Sequence, residues 1–232
     1  MLFDFPMDTY LHMLRYKLDL SKIRHVLITH AHMDHCYPQE FCMRGGPFAR
    51  ELSEQNVEVL CDATVKRMFL NDTAREIRPE IAESIEVTVL RPYDAVERDG
   101  TVITALPAAH TVGEDCLVYC VERGGKAVAL LNDTGILDID VYKRLSGMGV
   151  KLDCAAFDCT YGAKRHGAGR HMGLYDIVDQ TELMKKAGVL SDNAKIVATH
   201  FSHNTDLDFD GMKSAAEPHG IIVAYDGMEL CV

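Results

Sequence analysis

Short apolar runs alternate along the chain with stretches in which apolar positions recur at helical spacing. Apolar runs bounded by turn residues fit buried strands, and the helical spacing fits amphipathic helices, so the rhythm predicts an α/β protein. Strands are expected over Val26 to Thr29, Val57 to Cys61, Ile85 to Leu90, Val102 to Pro107, Cys116 to Val121, Ala127 to Leu131, Cys154 to Asp158, Ile196 to Thr199 and Ile221 to Ala224. Helices are expected over Thr9 to Leu18, Pro38 to Gln55, Thr64 to Asn71, Ile139 to Leu145, Leu174 to Ala187 and Asp210 to Glu217. From about Ile85 to Leu131 strand signals follow one another with no helix between them. Gly100 and Gly124-Gly125 supply turns there, which predicts an antiparallel stretch. The expected plan is two packed sheets covered by helices. The segment from Gly162 to His171 is polar, glycine-rich and basic, and is expected as a mobile surface loop.

Composition narrows the class. A length of 232 residues, 47% of them hydrophobic, suits one domain over residues 1–232 with a substantial core. The formal net charge of -11 opposes attraction to a polyanion, so no stable nucleic-acid partner is expected. The eight cysteines include no Cys-x-x-Cys pair and several sit in strand-like runs, which reads as reduced core residues. The start Met1-Leu-Phe-Asp-Phe-Pro lacks a basic, apolar leader, and no apolar run approaches the roughly 20 residues that span a bilayer. A cytoplasmic location without membrane partners is the expectation.

The eleven histidines are unevenly placed, with five between positions 12 and 35 and five between 166 and 219. The apolar run His25-Val-Leu-Ile-Thr29 ends abruptly at His30-Ala31-His32-Met33-Asp34-His35, beyond a strand end, where an α/β sheet presents ligands to a crevice. Imidazole and carboxylate suit borderline divalent metals. A lone His-x-His is more often a solvated turn. Four ligand-type side chains in six positions instead mark a metal site.

The run Thr29-His-Ala-His-Met-Asp-His35 resembles the His-x-His-x-Asp-His signature of the metallo-β-lactamase superfamily. In that family a third histidine, a bridging aspartate and a final histidine follow, each after a strand. His110 in Pro107-Ala-Ala-His-Thr-Val, Asp133 in Leu130-Leu-Asn-Asp-Thr-Gly135 and His200 in Lys195-Ile-Val-Ala-Thr-His stand in that order. Alone, His110 reads as an ordinary loop residue and Asp133 as a turn-forming cap. The resemblance covers nearly the whole chain and implies an α/β fold, the four-layer αββα sandwich. It implies two divalent metal ions per chain, with His30, His32 and His110 on one, Asp34, His35 and His200 on the other, and Asp133 between them. Zinc or manganese is expected, and iron or nickel suit the same ligands.

The fold carries many reactions, so the site must select one. Dizinc β-lactamases usually carry a cysteine where this chain has Asp133. His171-Met172-Gly173 resembles the Gly-His-Met motif of the phosphodiesterase branch, with Arg170 replacing the glycine. Lys164, Arg165, His166 and Arg170 gather positive charge beside it. Such a loop is usually a solvated face, but here Lys164, Arg165 and Arg170 are expected to contact a substrate phosphate. Leu2-Phe-Asp-Phe-Pro-Met-Asp-Thr-Tyr10 and Leu131-Asn-Asp-Thr-Gly135 also resemble the phosphoribosyl cyclic phosphodiesterase group. The expectation is a metal-dependent phosphodiesterase acting on a small, cyclic phosphodiester. Asp34 is expected to orient or deprotonate the nucleophile, His171 to stabilise the phosphorane or protonate the leaving alkoxide, and Asp4 to support the metal shell.

Relatives begin with further strands and a glycine- and serine-rich turn before the strand that Leu2-Phe-Asp-Phe5 resembles. The expectation is either a fragment or a sheet that has lost those strands, whose open edge could pair in a homodimer. His203 stands where some phosphoribosyl cyclic phosphodiesterases hold a structural zinc, but the upstream cysteines are absent, so no third zinc is expected there. The competing readings are a thiolesterase, a lactonase or an RNA-processing nuclease on the same scaffold, and a non-catalytic metal-binding or cofactor-assembly protein.

Overall fold

Val57, Glu58, Val59, Leu60 and Cys61 are all buried, the mark of a strand covered on both faces. They form β3 (Val57–Cys61) of a parallel sheet whose other strands are β1 (Leu2–Phe3), β2 (His25–Leu27) and β4 (Ile85–Val89), ordered β1-β2-β3-β4. The register sets Val59 beside Val26 on one side and Val87 on the other. Helices α1 (Thr9–Tyr16), α2 (Ala63–Thr73) and α3 (Pro79–Ala82) complete this part. Asp62 starts α2 by accepting from the amides of Thr64 and Val65, a cap worth about 1 kcal/mol. One helical turn apart, Val65 and Phe69 join Val26, Ile28, Phe41 and Val59 in one buried cluster.

The computed structural model describes residues 1–167, 169–203 and 205–232. These make a mixed α/β fold of two sheets with helices, in two units: Met1–Arg91 with Gly113–Leu117, and Pro92–Val112 with Val118–Val232. The second sheet is ordered β11-β10-β9-β8-β7-β6-β5. Its strands are β5 (Ala95–Arg98), β6 (Thr101–Pro107), β7 (Leu117–Arg123), β8 (Lys126–Leu131), β9 (Leu152–Asp158), β10 (Leu190–Thr199) and β11 (Ile221–Val223). The β5/β6 and β7/β8 pairs are antiparallel. Each turns through two residues at positive φ, Asp99-Gly100 and Gly124-Gly125, the backbone that matches strand twist in a two-residue hairpin. From β8 to β11 the strands run parallel. Parallel strands need crossovers, and α4 (Ile139–Gly147), α5 (Leu174–Ala187) and α6 (Phe209–Ala216) supply them in turn. Leu131, Phe157, Ile177 and Met184 pack in the main core, while Cys154, Ala156 and Val197 form a second cluster.

Two element expectations are corrected. The segment from Pro38 to Gln55 is not a helix: a 3-10 turn covers Pro38–Met43 and stops before Gly45-Gly46-Pro47. Two glycines lose the most backbone entropy, and a proline lacks the amide a helix needs. The strand at Ile85 is also not part of the antiparallel stretch but pairs in parallel with β3. The eight cysteines are free thiols, and all but Cys231 are buried. Among the described residues no helix is long and apolar enough to cross a membrane.

Candidate metal centre and catalytic residues

In the first unit the site grows from neighbouring strand ends. Phe3 lies opposite Leu27 in the parallel β1/β2 pair, so the residue after β1, Asp4, arrives beside Thr29. Asp4 sits at φ 55, in the left-handed region that an L residue seldom adopts. Its Oδ1 accepts from the Thr29 amide at 2.8 Å and from Thr29 Oγ1 at 3.0 Å, and its Oδ2 lies 2.7 Å from His35 Nδ1. A carboxylate there fixes the proton of His35 on Nδ1 and leaves the lone pair on Nε2, the form that binds a cation. His30 Nε2 and His32 Nδ1 face each other at 2.9 Å, and the rings of His30 and His35 are 4.4 Å apart. Thr29 Oγ1, 3.0 Å from His30 Nδ1, steadies the first ring. Asp34 is 64% exposed, with Oδ2 3.7 Å from His35 Nε2. This unit therefore gathers His30, His32, Asp34 and His35 in one turn.

In the second unit Asp133 follows β8 and His200 follows β10, both again at positive φ, 47 and 55. Strained backbone of this kind concentrates at functional sites. Asp133 is buried between imidazoles, with His110 Nε2 3.4 Å from Oδ2, and His200 Nε2 3.1 Å and His171 Nδ1 3.3 Å from Oδ1. His110 Nδ1 donates to the carbonyl of Arg170 at 3.2 Å. With Nδ1 engaged there, Nε2 is the ring nitrogen that faces the Asp133 carboxylate, beside which a cation would be held. Donor atoms of Asp133, Asp158, His171 and His200 all lie within 4.8 Å of one another. The donor chemistry of both units, imidazole nitrogen with carboxylate oxygen, suits divalent ions such as zinc.

Asp158, the last residue of β9, is wholly buried, and its Oδ2 sits 2.8 Å from His171 Nδ1. Thr160 Oγ1 lies 2.9 Å from His200 Nδ1 and 3.2 Å from His171 Nδ1. The carboxylates of Asp133, then Asp158, push the His171 pKa up to about 9 against the opposing effect of burial. Neither Asp158 nor Thr160 was singled out from the sequence. The available signal was an acid closing the very apolar strand Cys-Ala-Ala-Phe-Asp158, the same pattern that ends β8 near Asp133.

The loop before α5 has no regular secondary structure, and Ala168 lies outside the described residues. A third residue missed from the sequence, Asp176, organises it. This buried carboxylate accepts from the amides of His166, Gly167 and Gly173 at 2.8, 3.1 and 2.9 Å. The three expected phosphate contacts separate here. Lys164 is paired with Asp206 at 2.9 Å, and Arg165 with Asp179 of α5. Arg170 is exposed, its guanidinium has no acidic partner among the described residues, and its carbonyl holds His110. The unit therefore brings His110, Asp133, His171 and His200 together, with Arg170 at their edge, while Lys164 and Arg165 are engaged elsewhere. His203 is exposed.

The profile of the Beta-lactamase superfamily domain matches residues 3–201. Among solved structures the chain is similar to the metallo-beta-lactamase fold protein YhfI from Bacillus subtilis, at 16% identity over 98% of this chain and 85% of that one, with a TM-score of 0.71. A diphosphatase from the PhnP family matches at 21% identity over 99% of this chain and 78% of that one, TM-score 0.71. Zinc-bound PqqB from Methylobacterium extorquens matches at 14% identity over 100% and 82%, TM-score 0.70. At these identities the likeness shows the fold. Among curated proteins none matches the chain in sequence.

Proposed function

The chain belongs to the metallo-β-lactamase superfamily, and from that premise we propose that it is a two-metal phosphodiesterase for a small phosphodiester such as a phosphoribosyl cyclic phosphate. The observation that carries this reading is His171, held by its Nδ1 against the fully buried carboxylate of Asp158. An acid that must reach a leaving oxygen needs one fixed ring orientation, and a buried carboxylate behind the imidazole provides it. The aspartate at position 133 and the likeness to a PhnP-family diphosphatase support phosphate chemistry over lactam hydrolysis.

His30, His32, Asp34 and His35 from the first unit, and His110, Asp133 and His200 from the second, are the residues that would hold the ions. Two divalent cations, when bound, supply water of lowered pKa and neutralise phosphate oxygens. The chain's own groups do the rest. Asp34, the exposed carboxylate of its turn, orients the attacking water and takes its proton. His171 passes a proton from Nε2 to the departing alkoxide while Asp158 steadies the ring. Arg170, whose guanidinium has no acidic partner among the described residues, meets a non-bridging phosphate oxygen.

Replacing His171 by alanine is expected to lower kcat on a chromogenic phosphodiester by about 10²- to 10⁴-fold, with bound metal unchanged by elemental analysis. Full activity in that variant, or turnover of a glutathione thioester or lactone with none of the phosphodiester, overturns the proposal.

A further inference from the structure

Ala31 separates the two histidines of the His-x-His pair, so rotation of its peptide swings both rings. Its amide donates to Glu114 Oε1 at 2.8 Å, a partner 83 positions away in sequence. Three residues beyond Glu114, the amide of Leu117 donates to the Thr29 carbonyl, also at 2.8 Å. Residues 113–117 therefore grip the turn both before His30 and between His30 and His32.

The Glu114 carboxyl stands beside that of Asp62, the 1% exposed residue that caps α2 through Oδ1. Asp62 Oδ2 is buried with no hydrogen-bond partner among the described residues. Burial raises the pKa of both groups, and for Glu114 the neighbouring Asp62 adds to the rise.

We infer that Glu114 is a positioning residue, a strut behind the Ala31 amide that fixes the geometry of His30 and His32. Its value as a metal-site device rests on the two-metal reading above, whereas the strut itself does not. Glutamine at 114 keeps an oxygen for the Ala31 amide, whereas alanine removes it.

The test uses the metal-stripped full chain, labelled for amide exchange, and zinc titration against a chromophoric competitor. In the Glu114→Ala protein the Ala31 amide is expected to exchange at least about 10-fold faster than in the parent, and zinc affinity to fall by about 10- to 100-fold. Glu114→Gln is expected to keep both within about 3-fold of the parent, a rescue that general loss of packing does not give. Unchanged Ala31 exchange in Glu114→Ala overturns the strut, as does a Glu114→Gln protein as impaired as the alanine variant. A parent chain that protects Ala31 but takes up no zinc leaves the strut standing and removes the two-metal reading.

Discussion

Asp4 illustrates how one side chain sets up a candidate ligand it does not replace. Its two oxygens divide between the Thr29 backbone and His35 Nδ1, so it anchors the start of the histidine turn and sets the tautomer of the turn's last ring. An asparagine tolerates the φ of 55 and still accepts from Thr29, but loses the charge behind His35. Asp4→Asn is expected to fold with little loss of stability and to bind zinc about 10- to 100-fold more weakly, checked by competitive titration beside a thermal melt. Of the residues around the two clusters, the ligand types in His30 to His35 were legible because four of them crowd one turn. Asp158, Asp176 and Glu114 were not, because single acids in a chain with 35 acidic residues carry no mark until folding gives them partners.

Among the elements, α5 was legible to its last residue. Apolar positions recur at helical spacing between Gly173 and Gly188, and Gly188 adopts the left-handed C-cap at φ 67. The Ile85 strand was misjudged because an apolar run does not announce whether its partner is sequential or comes from a βαβ crossover. The loop after β8 shows another feature that only packing reveals. A Cβ built on Gly135 would stand 1.8 Å from the carbonyl oxygen of Gly169, next to Arg170 and His171. Gly135→Ala is therefore expected to destabilise by about 1–3 kcal/mol or more, read as a lower urea midpoint at unchanged slope. Its displacement of the Gly169 segment is expected to cost activity before it costs folding. If the midpoint stays that of the parent, the close approach of the two loops is wrong.

For the molecule as a whole, a cation that binds the folded chain and not the unfolded one adds stability by mass action. Zinc at about 100 times its dissociation constant contributes about 2.7 kcal/mol, which for a chain of this size raises Tm by about 5–10 °C. A calorimetric scan is expected to show that rise, and excess chelator to abolish it. A Tm indifferent to both would deny the chain a metal-stabilised fold. The sequence by itself determined the ligand types, their order along the chain and the α/β rhythm, because each rests on local composition or on the period of apolar positions. Tertiary structure decided which strand lies beside which, and through that everything set by distance. It placed Asp4 behind His35, Asp158 behind His171 and Glu114 under Ala31, and it separated the paired Lys164 and Arg165 from Arg170. Those relations join residues tens of positions apart, and a hydrogen bond of about 3 Å is a fact of the packed chain that no local pattern encodes.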